Sequence, residues 1–368
     1  MALVNSRLSA LALAAALGLS GLSTVGCSKK DDKKAEASAK SEKDKKADDD
    51  DDGAGKKPSK KHKSAKKAED DAAGSYAHGD VLKHVPKDCK VARLYVDVQA
   101  LQKNDAFATN VDSLEEKLVS SMKDDDADKG RKVLKALKKA GIDPSKDVRE
   151  LAMCGDAKND FVLAIGGDFA GKKPLDAISK AIEASGDDAP KHTTSDDVDL
   201  LVLKGKKKAE ESYLGEVAPG VLVVADDKDS VSALKAEKDR STDWNVAKDR
   251  LAVFDYREKG RMGFDLTLTS AEDAVLGKFV GTFEDSTGAK MKADPKAFET
   301  QFGKMAGQLS KKIEETPFKA IAPDVKATKI AVDGNVVTVT ITVANDHLGS
   351  AIKAIAAAKP DELAKAFQ

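Results

Sequence analysis

The chain is 368 residues long and nearly neutral, with 62 Lys and Arg against 63 Asp and Glu. Its first 75 residues carry +3, which leaves about −4 on the remainder. That remainder is too weakly charged to bind nucleic acid through its field or to select a strongly cationic partner, and with aromatics at 4 % its core has to be built from Val, Leu, Ile and Ala.

Residues 1–27 fall into three zones. Met1 to Arg7 holds one fixed cation, Leu8 to Leu22 is an apolar run of Leu, Ala, Gly and Ser, and Ser23-Thr24-Val25-Gly26-Cys27 closes the segment. The run is shorter than the roughly 20 residues a membrane span needs and has the length of a signal-peptide core. A Cys preceded by small residues at this point resembles the lipobox of bacterial lipoproteins, with Gly26 in the small position before the cleaved bond. The resemblance covers these 27 residues alone. It implies removal of the leader, a diacylglycerol thioether on Cys27 and acylation of the freed amine, so that two or three chains hold the protein at a membrane. Ser28 stands where an Asp would favour inner-membrane retention in Gram-negative lipoproteins, which implies the outer membrane. The covalent lipid on Cys27 is the one non-protein group expected; no metal and no cofactor is called for.

From Ser28 to Ser75 there is no Val, Ile, Leu, Met, Phe, Trp or Tyr. Such a segment cannot bury enough surface to offset the entropy of ordering, so 28–75 is expected to be a disordered tether. Its charge comes in blocks, with Lys around Lys29–Lys46 and Lys56–Lys67 and acids at Asp48–Asp52. Asp48, Asp50, Asp52 and Gly53 open like an EF-hand loop, but the twelfth position, which needs a bidentate Glu, is Ser59.

Beyond Tyr76 the apolar period switches between two and 3.6. Val91–Val98 reads as a strand, and helices follow near Val111–Met122 and Gly130–Ala140. Val148–Cys154 and Phe161–Ile165 are strands, and Pro174 starts a helix with Leu175, Ile178 and Ile182 on one face. Short strands follow at Leu200–Leu203, Tyr213–Val217 and Val221–Ala225, then a short helix at Ser230–Glu237. Arg250–Tyr256 and Met262–Thr269 pair across Glu258-Lys259-Gly260. Ser270, with Asp273 three residues on, is expected to cap a helix. Asp294-Pro295 opens a longer one. Lys326–Val332 and Val336–Val343 form a hairpin turned at Asp333-Gly334, in which Val337, Val339, Ile341 and Val343 alternate with threonines and predict one buried and one wet face. A last helix covers Asp346–Ala358. A strand followed by a helix recurs at Phe161–Ala184, Val221–Glu237, Phe264–Phe283 and Val336–Ala358. This predicts an α+β fold, antiparallel sheet with helices on one face, with a boundary near Asp239–Lys248 between lobes 76–238 and 249–368. The rhythm resembles that of repeat-bearing α+β lipoproteins of bacterial envelopes, a likeness that carries no activity.

Candidate chemistry is sparse. Gly166 to Lys173 approaches a phosphate-binding loop, but Lys173 stands where Ser or Thr must reach magnesium. His62, His78, His84, His192 and His347 lack metal-ligand spacing and read as surface residues. Asp196, Asp197 and Asp199 read as a solvated turn, and Lys204 to Lys208 as a basic loop tip. Phe298, Phe302, Met305, Leu309 and Ile313 fall on one helical face, which either packs on the sheet or lines a hydrophobic groove for an acyl chain or a partner helix. With Cys27 lipidated, Cys89 and Cys154 remain in an oxidising compartment. They can pair if the first two body strands are antiparallel neighbours, and otherwise stay as two buried thiols.

These readings converge on a membrane-anchored envelope lipoprotein with a non-catalytic binding or structural role. Its expected partners are the membrane, through the anchor, and an envelope protein or polymer. A carrier or assembly factor for lipid or envelope proteins is the alternative, and a hydrolase acting on wall or lipid comes last.

Overall fold

A computed structural model describes residues 76–86, 89, 91–110, 124–155, 161–204, 211–235 and 246–358. Cys27, the tether, and the helix expected at Val111–Met122 lie outside these residues. So do the loop tip from 205 onward and most of the expected lobe boundary.

Strand β1 (Ala92–Asp97) sits inside a twelve-stranded sheet in which all neighbours run antiparallel. On one side of it lie β2 (Val148–Gly155), β3 (Phe161–Gly167), β7 (Val221–Ala225), β6 (Glu211–Ala218), β5 (Val198–Lys204) and β4 (Lys191–Ser195), in that spatial order. On the other lie β8 (Arg250–Glu258), β9 (Met262–Ser270), β10 (Ala274–Phe283), β12 (Val336–Ala344) and β11 (Lys329–Asp333). The segments on either side of 239–248 therefore share one sheet, joined where Leu94 faces Phe254. The fold is α+β, as the alternation of periods predicts.

The helices, in chain order, are α1 (Val98–Lys103), α2 (Asp105–Ala108), α3 (Asp124–Lys139), α4 (Pro144–Asp147), α5 (Pro174–Ala184), α6 (Lys228–Ala233), α7 (Ser286–Ala293), α8 (Pro295–Glu314), α9 (Ala322–Lys326) and α10 (Asn345–Ala357). Their starts are chemically marked. Asp97, Asp143, Asp227, Asp285 and Asp294 each accept a backbone N–H of the first turn, and Pro144, Pro174 and Pro295 occupy the position whose N–H has no helical partner. Among the described residues no helix is long and apolar enough to cross a membrane.

Over β1, β2, β3 and β5–β7 the sheet is buried on both faces. Val96, Leu151, Leu163, Ile165, Leu222 and Val224 pack under α3 and α5, through Leu137, Leu175, Ile178 and Ala181. The opposite face, with Tyr95, Ala152, Val162, Ala164, Val223 and Leu200, is closed by the turn Asp80–His84, by Val85 and by Val231 of α6. Burial on both sides is why β7 reads as an unbroken apolar run, Val221-Leu222-Val223-Val224-Ala225. Each such side chain, wholly withdrawn from water, contributes roughly 1.5–3 kcal/mol.

The other half is more thinly covered. Among the described residues, neither of these two buried clusters extends past Ala252. In β12 only Val337 is buried, while Val339, Ile341 and Val343 stay partly exposed, so the expected buried face is closed at one end only. Phe254, Leu266, Phe279, Val339 and Ile330 stand in register across five strands and form one apolar face. Thr267, Lys278 and Thr340 stand in register on the wet face.

Two expectations fail. Residues 274–283 form a strand, β10, and not the helix expected after Ser270. The Ser270 N–H bonds Asp249 and the Ala271 N–H bonds Ala274, so the Ser-x-x-Asp stretch is a turn between strands and no cap. Gly277 and Gly281 weaken any helix there by about 1 kcal/mol each, and Val275 and Gly277 are buried while Leu276 and Lys278 are exposed, the alternation of a strand. The strand–helix unit expected at Phe264–Phe283 is thus a hairpin; the other three are present. Strand β4, Lys-His-Thr-Thr-Ser, was not expected, because a largely exposed edge strand without apolar residues gives no period to read. Its turn into β5 is made by Asp196 and Asp197 at φ 44° and 61°, a left-handed pair that Asp tolerates.

Candidate functional site

The most heavily bonded polar centre among the described residues grows from one acid in an apolar strand. Glu150 lies in β2 beside Asp97 of β1 and Gly166 of β3, directly in register with both. Its side chain is 2 % exposed. Over this row runs the segment entering the fold, Tyr76 to Val85. Gly166 makes room for it, since a Cβ there would overlap the Tyr76 phenol. Gly79, at φ 83°, turns its N–H inward.

Four groups converge on the Glu150 carboxylate. The Tyr76 hydroxyl donates to Oε2, and the Tyr95 hydroxyl to Oε1 at 2.8 Å. The Gly79 N–H reaches Oε1 and Oε2 at 2.8 and 2.9 Å. His78 Nδ1 lies 2.8 Å from Oε1 and 3.3 Å from Oδ2 of Asp97. Asp97 spends its other oxygen on the Ala100 N–H at 2.7 Å, capping α1. Burial raises both phenol pKa values beyond any physiological range, and the Glu150 charge adds to this, so both stay protonated donors. Burial also raises the Asp97 carboxyl, against the lowering effect of the Ala100 N–H and of His78. The Tyr76 oxygen in turn accepts from the Val81 N–H at 3.1 Å.

Beside this centre lies a cavity of about 30 Å³, lined by Tyr76, His78, Asp97, Gln99, Arg149 and Glu150, room for one water. His78, Asp97 and Glu150 each offer a ligand atom, all within 4.8 Å of one another, and are the residues that could hold a metal ion. Sequence spacing alone places His78 among surface residues. Its partners come from positions 97 and 150, so no local spacing reveals them. The one available signal is Glu150 itself, an acid near the start of a strand whose following residues, Leu151 to Cys154, are apolar.

A larger, open hollow of about 300 Å³ lies at the start of α5, lined by Lys173, Pro174, Leu175, Asp176, Asp199 and Glu216. Burial raises the Glu216 pKa there, against the Gly220 N–H that bonds it.

Cys89 and Cys154 are joined by a disulfide with Cα atoms 5.6 Å apart; β1 and β2 are antiparallel, and Cys154 faces Arg93. The five apolar residues of α8 do not form an enclosed groove. Phe298, Phe302 and Ile313 are partly buried, while Met305 and Leu309 are 52 % and 51 % exposed. The helix packs on α9 and on the edge strand β11, so it has no broad sheet beneath it. Its one fully buried residue is Ser310, which bonds the Ala322 carbonyl. On the apolar face of the sheet, Phe264 stands 5.2 Å from Tyr256, 5.5 Å from Phe254 and 5.6 Å from Phe279 between ring centres. All four rings remain partly exposed.

No family model matches the chain, and no curated protein matches its sequence. Among solved structures it is similar to crystal form I of TP0453, with a TM-score of 0.41 and 13 % identity over 76 % of this chain and 98 % of that one. Crystal form III gives a TM-score of 0.38, also at 13 % identity, over 71 % and 93 % of the two chains.

Proposed function

We propose that the chain is a lipid-anchored protein of the bacterial envelope that acts by binding, not by catalysis, through the apolar side of its C-terminal half. The observation that carries this reading is the exposure of Met305 and Leu309, at 52 % and 51 %, on a helix that buries only Ser310. Large apolar side chains grouped outside a core mark surfaces that meet another apolar body. The lipobox-like end at Cys27 supports the anchored half of the reading. An acylated Cys27 followed by a long polar segment would hold the body within reach of lipid and of envelope proteins.

Two experiments test it. Cys27→Ala should abolish labelling by a clickable palmitate and leave the leader attached; unchanged labelling overturns the anchor. Met305→Glu with Leu309→Glu removes the exposed apolar pair without touching the buried residues. This variant should keep its melting temperature; in a chain that starts at Ser28, without leader or acyl chains, it should lose co-sedimentation with the vesicles that retain the same chain carrying Met305 and Leu309. Undiminished retention of that variant overturns α8 as the binding surface.

The carrier reading is favoured by a separate observation, the row of partly exposed rings at Phe254, Tyr256, Phe264 and Phe279. It expects non-covalent lipid to copurify with the native chain and to be lost from Phe264→Ser. Protein that is free of lipid when gently extracted overturns it.

A further inference from the structure

Asp97 and Glu150 stand directly opposite each other on neighbouring strands, both buried. Like charges so placed repel, and buried charges persist only when paired. Nδ1 of His78 is the nitrogen that both carboxylates share, and an imidazole can supply a single positive charge at most.

The orientation of the two carboxylates is informative. Both oxygens of Glu150 are held by protein donors, Oε2 by Tyr76 and Gly79 and Oε1 by Tyr95 and Gly79, and Oδ1 of Asp97 is held by Ala100. These donors fix both carboxylates so that Oε1 and Oδ2 face Nδ1 of His78. Outer partners that lock ligands in this way are typical of metal centres. The spacing agrees. Atoms about 2.0–2.1 Å from one ion stand roughly 2.9 Å apart at a right angle and roughly 3.3 Å apart at the tetrahedral angle. Nδ1 lies 2.8 Å from Oε1 and 3.3 Å from Oδ2. The cavity of about 30 Å³ alongside would hold a water as a further ligand. His78 is 27 % exposed, which leaves a path for entry.

We propose that His78, Asp97 and Glu150 bind one divalent transition-metal ion. Zinc matches one imidazole and two carboxylates. On binding, the ion takes the Nδ1 lone pair: a neutral ring carries its one proton on Nε2, and an imidazolium first gives up its Nδ1 proton to solvent. The ion's role is structural: it ties the entering segment 76–85 to β1 and β2, and it lies apart from the apolar surface of α8.

The test uses the full chain purified without a metal-binding tag, stripped with a chelator and dialysed against zinc. Elemental analysis should find one zinc per chain, with a thermal midpoint raised above the stripped form. His78→Ala and Asp97→Asn should each weaken zinc binding by at least about tenfold, whereas His192→Ala and His347→Ala should not. If either site variant unfolds, wild-type protein labelled with ¹⁵N-histidine decides: addition of zinc should move the His78 ring resonance. A chain that takes up no zinc, zinc retained by both site variants, or a His78 resonance that ignores zinc overturns the site.

Discussion

Removing the Glu150 carboxylate tests whether the entering segment is held by this one side chain. In metal-free Glu150→Ala, the Tyr76 and Tyr95 hydroxyls and the Gly79 N–H all lose the Glu150 acceptor in a largely buried region. One stranded buried donor costs about 1–3 kcal/mol. The three share a single acceptor and relax together, so the costs do not add, and we expect about 3–5 kcal/mol, the range for breaking a buried charged pair. Against a typical total of about 5–15 kcal/mol this is a large fraction. Glu150→Gln keeps the shape and one carbonyl oxygen but turns an NH₂ toward a donor, and should cost about half as much. Exposed Glu314→Ala should stay within about 0.5 kcal/mol. Urea unfolding with the disulfide intact and chelator present gives these differences from the midpoint at constant slope. Hydrogen exchange adds a local reading, because the Gly79 and Val81 N–H groups should lose protection first. A Glu150→Ala loss below about 1 kcal/mol, with Gly79 as protected as before, would refute the idea that this carboxylate organises the segment.

Gly166→Ala should push the Tyr76 ring off the sheet and cost about 1–3 kcal/mol, and Tyr76→Ala in the same chain should relieve part of that loss, so the two effects should be less than additive in a double-mutant cycle. Cys89→Ala with Cys154→Ala opens a loop of 65 residues and should lower stability by up to about 4 kcal/mol in the chain-entropy model; equal midpoints with and without reductant would contradict this. Asp255 faces Asp265 and Arg93 across strands, and burial together with the hydrogen bond to Asp265 raises its pKa to about 6, while Asp265 is lowered. Since the unfolded value is near 3.9, the native chain keeps a proton between about pH 4 and 6 that the unfolded chain has lost, so this group's contribution is greatest below that window and falls by up to about 3 kcal/mol as pH rises through it. Asp255→Asn should flatten this fall in urea unfolding at pH 4.5 and 7, and an unchanged slope would count against the shared proton.

The sequence made some features legible and hid others for identifiable reasons. Most strands and the longer helices of the body were readable, because burial on one or both faces imposes a period or an apolar run, as in Val221–Ala225 or Leu175-x-x-Ile178. Asp294-Pro295 marks a helix start, and Asp333-Gly334 lies one residue off the turn it signals: Asp333 pairs with Val336, and the turn residues are Gly334, with positive φ, and Asn335. Strand β10 is hidden because Ser270 and Asp273 imitate a cap, and Val275, Phe279 and Phe283, spaced by four, fit one face of a helix as well as one face of a strand. The Glu150 centre was invisible for another reason. Its members lie at 76, 78–79, 95–97 and 150, and only the antiparallel register of β1 and β2 brings them together. Gly166 was noticed as part of a failed phosphate loop, when its task is to leave space for a ring 90 positions earlier in the chain.

The contrast between the two ends of the sheet bears on how such a chain works. From β1 to β7 both faces are covered, and the buried carboxylate is affordable there because rigid neighbours hold every donor in place. From β8 to β12 one face is polar and the other is only partly roofed by α7 to α10. The rings of Phe254, Phe264 and Phe279 and the side chains of Met305 and Leu309 gain less from folding than the same residues would in a core. Substitutions at these exposed side chains should therefore cost little stability, whereas Leu251, Met291 and Val337 in the same half are wholly buried and hold the fold. A surface freed in this way from holding the fold together can be shaped by what it contacts. The apolar side of β8–β12 and α8 is therefore where a partner should be sought, and the Glu150 centre is where the fold should be broken.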